Sequence, residues 1–142
     1  MIKKWIITMY FLVMLIVSSC HNRGNVPIDK NVKSIESFES FYSKFYQDSI
    51  FQKERVKFPI KGILNSNDIH GEYIWTENNW HRIYTIKKDS IIDGQLYKKE
   101  IKKFYSIVTD RVYIDSAGFE TICRYKLIEN KWYLVYFSSS NL

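Results

Sequence analysis

Two thiols and three histidines are the side chains of this 142-residue chain best suited to covalent or metal chemistry, and their surroundings decide what each can do. Cys20 follows Val17-Ser18-Ser19 at the end of an uncharged stretch, Trp5 to Val17, that lies behind the basic pair Lys3 and Lys4. Its thiol is the only strong nucleophile nearby. Cys123 sits in an alternating apolar pattern, where a cysteine acts as a small buried hydrophobe. His21, His70 and His81 lack the i, i+4 spacing or cysteine partners of a zinc site, so no metal and no other cofactor is expected. Asp48, Asp110, Asp115 and Glu120, with the many tyrosines, could supply a base and an oxyanion donor to an apolar cavity. None stands in a local motif that assigns such a role, and there is neither a Gly-rich phosphate loop nor a Gly-x-Ser-x-Gly elbow. No catalytic residue is assigned.

The densest aromatic and polar cluster is Trp75, Trp80, His81, Arg82 and Tyr84. It is the candidate ligand or partner surface, weighed against ordinary sheet packing. Lys98, Lys99, Lys102 and Lys103 could rest on anionic lipid, although Glu100 among them fits a solvated face.

The apolar stretch before Cys20 is 13 residues, which as a helix spans roughly 20 Å at ~1.5 Å per residue. That falls short of a ~30 Å hydrocarbon core, so residues 1–19 read as an export signal rather than a permanent span. Val17-Ser18-Ser19-Cys20 resembles the bacterial lipobox. The resemblance implies cleavage between Ser19 and Cys20, a diacylglyceryl group on the Cys20 sulfur and acylation of the new amine, which anchors the chain to a membrane. The non-acidic His21 favours the outer membrane by the same analogy, and Asn22-Arg23-Gly24-Asn25 lacks the acidic run of surface display. A periplasm-facing domain is expected, with a small ligand or an envelope protein as partner.

Loss of Lys3 and Lys4 with the signal leaves 19 basic against 15 acidic residues, a formal charge of +4 where the whole chain has +6. The basic residues are interleaved with acids, which argues against nucleic acid as a partner. With Cys20 lipidated, Cys123 has no disulfide partner within the chain. Residues 20–33 read as a lipidated tether: from His21 to about Lys33 the chain is polar, contains Gly24 and Pro27, and reaches at most about 45 Å at ~3.3–3.6 Å per residue. Residues 34–142 are expected to form one domain.

Within it, Ile35, Phe38, Phe41, Tyr42 and Phe45 recur at helical spacing behind Ser34, a fair N-cap. Ser49 and Gln52 have capping-box spacing for a second short helix, and Pro59 and Gly62 punctuate the chain after it. A hairpin is expected where Glu72–Glu77 and Trp80–Tyr84 flank Asn78-Asn79, with Trp75 opposite Arg82, Tyr73 opposite Tyr84 and Ile74 facing Ile83. Leu96 to Val108 is ambiguous between helix and strand and is read as strand from about Lys103. The C-terminal hairpin turns at Glu129-Asn130, with Cys123, Tyr125 and Leu127 sharing a face with Trp132, Leu134 and Tyr136.

The aromatic-faced helix, the short second helix and a sheet ending in Leu127-Ile128-Glu129-Asn130-Lys131-Trp132 with Leu134 resemble the nuclear transport factor 2-like cone fold. Phe38 to Gly62, with Phe41, Phe45, Asp48, Phe51-Gln52, Arg55 and Phe58-Pro59, resembles a family of uncharacterised Bacteroides-type lipoproteins of that fold. The resemblance implies an α+β architecture, N-terminal helices packed on a curved antiparallel sheet. It leaves activity open, since the fold hosts isomerases, dehydratases and non-catalytic binders. The expectation is a non-catalytic ligand- or partner-binding module, with an isomerase-like or hydrolase-like enzyme using the cone cavity as the alternative.

Overall fold

Ser37, rather than Ser34, starts the first helix: its hydroxyl accepts the Ser40 N–H at 3.3 Å. The computed structural model describes residues 34–115 and 117–141. The chain divides into two units, Met1–Val32 and Lys33–Leu142, and every described residue belongs to the second. The export segment 1–19, Cys20 with its cleavage site, and the tether 20–33 lie outside the described residues. Ser34 is not a cap because the chain before Ser37 is held elsewhere. The Glu36 N–H donates to Asn130 O at 2.9 Å, and the Trp132 indole N–H donates to Glu36 O at 3.0 Å.

Helix α1, Phe38–Gln47, buries Phe38, Phe41 and Phe45 and is followed by α2, Ser49–Glu54. The α2 cap is Asp48, whose carboxylate accepts the N–H groups of Ile50 and Phe51, each at 3.0 Å. Gln52 makes no capping box; its side chain turns inward and is 1% exposed. Seven strands follow among the described residues: β1 Val56–Asn65, β2 His70–Trp75, β3 Ser90–Ile92, β4 Gln95–Phe104, β5 Ile107–Ile114, β6 Glu120–Ile128 and β7 Lys131–Ser140. They form one sheet in the order β2-β1-β7-β6-β5-β4-β3. Neighbours are antiparallel except β1 and β7, which run parallel, so the sheet is mixed rather than wholly antiparallel.

Pro59 and Gly62 do not end an element; both lie inside β1, where the Phe58–Pro59 peptide is cis and the β7 register shifts. Gly62 is required by close approach, since a Cβ there would sit 1.7 Å from Phe137 O. The β4 strand begins eight residues before Lys103, at Gln95, because Tyr97 to Phe104 pair residue by residue with the whole of β5.

Glu129-Asn130 makes the expected turn, both residues at positive φ (49° and 65°), the combination that suits a two-residue hairpin. The inner face of that hairpin differs in one residue. Tyr125 pairs with Leu134, but Arg124 pairs with Tyr136, so the extra residue Val135 turns Tyr136 outward and brings Phe137 opposite Cys123.

Tyr125, fully buried, is the hub of the core. The rings of Phe38, Phe41 and Phe45 on α1 meet it edge-on with centroids 5.5–5.7 Å away. Each such ring contributes about 1.5–3 kcal/mol through burial, and each edge contact about 0.5–1.5 kcal/mol more. This packing fixes α1 across β6 and β7 and points its other stripe, Tyr42 and Tyr46, toward β4 and β5.

Candidate functional site

On β5 the inward positions are Val108, Asp110 and Val112, exposed by 1%, 3% and 7%. A carboxylate in that row must be compensated. Its Oδ2 receives the hydroxyls of Tyr42 and, at 3.5 Å, Tyr46, one helical turn apart on α1. Lys99, projecting inward from β4 with its side chain 9% exposed, places Nζ 3.4 Å from the same oxygen. Oδ1 has no hydrogen-bond partner among the described residues.

Asp110 lines a cavity of about 60 Å³ together with Tyr46, Cys123, Ile83, Tyr84 and Thr85. The roof is the irregular segment of residues 76–89, which runs from β2 to β3 without joining the sheet. Polar side chains hold it in place of a ladder. Gln52 donates to Ile83 O and accepts the Ile83 N–H, each at 2.9 Å. Arg82 donates to the α1 carbonyls of Tyr46 and Gln47 at 2.9 and 3.0 Å, satisfying groups at the negative end of the helix. Lys99 donates to Thr85 Oγ1 and, at 3.2 Å, to Ile86 O. The lysine that compensates Asp110 therefore also holds the roof.

Burial raises the Tyr42, Tyr46 and Tyr125 hydroxyls well above the ordinary phenol range, helped by the Asp110 carboxylate at Tyr42 and by Cys123 at the other two. Burial, and then Asp110, also push the Cys123 thiol up to about 12. At neutral pH these groups stay protonated: three hydrogen-bonding hydroxyls and an inert thiol, with no activated nucleophile.

The proposed aromatic surface is divided. Trp75 is 5% exposed, its ring 5.0 Å from Phe137, and pairs with Ile60 of β1 instead of Arg82. Trp80 packs between Phe58 and Phe137. His81 is exposed, Arg82 caps α1, and Tyr84 alone of the five lines the cavity. The expected hairpin is absent because the Asn79 side chain accepts the Thr76 N–H and donates to Ile74 O, ending β2 with a local turn.

The four lysines are likewise dispersed. Lys98 pairs with Asp115, Lys102 with Glu100, Lys103 with Glu39 and Lys99 with Asp110, so they form no free cationic patch. Of the remaining carboxylates, Asp48 caps α2 and Glu120 binds Arg111. His70 is exposed at the start of β2. No group of three or more metal-ligating side chains occurs among the described residues. Sequence reasoning read Lys99 as a lipid contact or a solvated lysine and Tyr42 as part of an apolar helix face, and did not single out Tyr46; the signal for the site was an acid in the buried register of a Val-rich strand and two tyrosines at i, i+4.

Two helices closing the concave side of a mixed seven-stranded sheet, with a small cavity between, define a nuclear transport factor 2-like α+β cone. A protein-family model matches residues 36–141, and the chain belongs to that family, an uncharacterised one of Bacteroides-type proteins. A cystatin-like protein of Bacteroides caccae shares 22% identity at a TM-score of 0.58, over 75% of this chain and 77% of that one. A nuclear transport factor 2-like protein of Bacteroides fragilis shares 19% at 0.53, over 75% of this chain and 48% of its own length. A protein of Bacteroides uniformis shares 20% at 0.54, over 75% and 76%. These likenesses concern the fold. No curated protein matches the chain significantly.

Proposed function

We propose that the mature chain is an envelope lipoprotein, cut between Ser19 and Cys20, acylated on Cys20 and held at the outer membrane facing the periplasm. Its domain binds the end group of a small neutral ligand at Asp110 without transforming it. The single observation that carries the ligand reading is the buried Oδ1 of Asp110, an acceptor with no donor among the described residues, in a residue that lines a cavity. Leaving such an acceptor unpaired is costly, so a donor from an entering molecule is favoured.

The charge of Asp110 is already offset by Lys99, whose ammonium would repel a second cation. An amide N–H or a hydroxyl is therefore the fitting donor. At about 60 Å³ the cavity is far smaller than the ~300–1,000 Å³ that enclose a whole small ligand, so it takes the tip of one.

The convergence of a carboxylate with tyrosines also fits an isomerase-like enzyme. Against it stand the cavity's size and the engagement of both tyrosine hydroxyls with Asp110 Oδ2, which leaves that oxygen occupied and the hydroxyls turned away from an incoming carbonyl. Two measurements test the reading separately. Labelled palmitate should enter the wild-type chain and not Cys20→Ala; equal labelling removes the anchor. Melting of the mature chain against a panel of small amides, alcohols and sugars should reveal a stabilising compound. Turnover of such a compound would favour the enzyme.

A further inference from the structure

The end of the sheet at which the described chain begins carries exposed aromatic side chains, where the opposite end exposes aliphatic ones, Ile91, Ile92 and Leu96. Glu36 is bonded to Asn130 in the β6–β7 turn, and the Leu127 N–H donates to Ser106 O at 2.8 Å, so the β4–β5 turn lies beside it. At that turn Phe104 is 71% and Tyr105 92% exposed, their rings 4.6 Å apart; Ile107 beyond them is 39% exposed, and Ile35 at the chain entry 66%. Tyr105 has φ 49°, a left-handed conformation that favours glycine, so a bulky ring is held out where a small residue would sit more easily.

We propose that the Phe104–Tyr105 tip is a membrane-interface contact that seats the domain on the leaflet holding its lipid anchor. This rests on the anchoring proposed above. The described chain begins at Ser34, two residues before Glu36 at this end of the domain, so a lipid on Cys20 would make a phospholipid surface the apolar partner within reach. A tyrosine, with an apolar ring and a polar hydroxyl, suits the headgroup level.

Charge plays a minor part. Lys102 and Lys103 are paired with Glu100 and Glu39, and Lys131 faces Glu36, so the contact is chiefly aromatic and tolerates zwitterionic lipid. The arrangement would also fix which way the cavity faces.

The test uses full-length mature protein, lipidated in a bacterial host and reconstituted into phosphatidylethanolamine–phosphatidylglycerol vesicles containing phospholipid brominated high on its acyl chains. Phe104→Trp adds a reporter at the tip, and Ile91→Trp adds one on β3, beside the β3–β4 turn at the opposite end, where Ile91 is 74% exposed. The Phe104→Trp protein should gain emission that bromine quenches, and the Ile91→Trp protein emission that it does not. Unquenched emission at position 104, with palmitate present on Cys20, overturns the contact and leaves the anchor standing. Absence of palmitate overturns both. Concentration-dependent self-association that Tyr105→Ser abolishes, without quenching, assigns the tip to a second copy of the chain and overturns the membrane contact.

Discussion

The side-chain amide of Gln52 bonds both the N–H and the C=O of Ile83, standing in for the neighbouring strand that residues 76–89 lack. A third bond from the same amide to Phe45 O at 3.1 Å ties the clamp to α1. Through it the roof of the cavity is fixed to the helices.

Replacing Gln52 with Ala leaves these buried partners unsatisfied, at a cost of about 2–3 kcal/mol. Hydrogen exchange should accelerate at residues 82–86 well before it does in β6 and β7. Uniform acceleration along the chain would mean that the clamp supports the whole fold and not the roof.

Asp110→Asn keeps the shape of the side chain but leaves the Lys99 ammonium buried without its counter-ion, an imbalance worth about 3–5 kcal/mol. Adding Lys99→Met should restore much of that loss, since the charge is removed with its partner. Urea melts of the two single variants and the double variant give the coupling. Additive losses would contradict the pairing of Lys99 with Asp110.

Glu36 receives Arg55 through two bonds of 2.8 and 3.0 Å, and the Trp132 N–H at 2.8 Å. Burial opposes ionisation, yet the Arg55 and Trp132 bonds outweigh it and hold the carboxyl below 4.5. A carboxyl lowered by folding contributes stability that is complete above its unfolded value and is lost as pH falls through the folded one. Stability should thus decline below about pH 4.5, and Glu36→Gln should flatten that part of the acid limb while lowering stability at pH 7. Parallel acid limbs for the two proteins would contradict the assignment.

A thiol pushed up from 9.0 to about 12 holds roughly a thousandfold less thiolate at pH 8 than an ordinary one. Cys123 should resist alkylation in the native protein and react promptly once denaturant unfolds it. Rapid native alkylation would show that the roof opens freely.

What the sequence made legible was local. The Glu129-Asn130 turn, the alternation of β6 and the 3-and-4 spacing of Phe38, Phe41 and Phe45 each follow from side chains a few residues apart. The same residues that carried the family resemblance prove to be fold devices: Asp48 caps α2, Gln52 clamps the roof, and Arg55 binds Glu36 and, at 3.0 Å, Trp132 O. What escaped was decided across distance. Ile83 bonds a side chain 31 positions earlier, and Lys99 reaches Tyr42, 57 positions away, so no local period marks the roof or the site. The shift of one residue at Val135 exchanged Tyr136 for Phe137 on the inner face, a change that strict alternation cannot foresee. Asp110 was readable as an acid where Val108 and Val112 predict an apolar residue, but its partners were not.

The central claim is that the cavity at Asp110 binds a neutral donor. Its most direct test is the melting temperature of the mature chain, measured with each compound of the amide, alcohol and sugar panel, for the wild type and for a Lys99→Met/Asp110→Leu double variant, which lacks the carbonyl acceptor that Asn would keep. At least one compound should raise the wild-type melting temperature in a saturable way and leave that of the double variant unmoved. No shift across the panel, or an equal shift in both proteins, would contradict the claim.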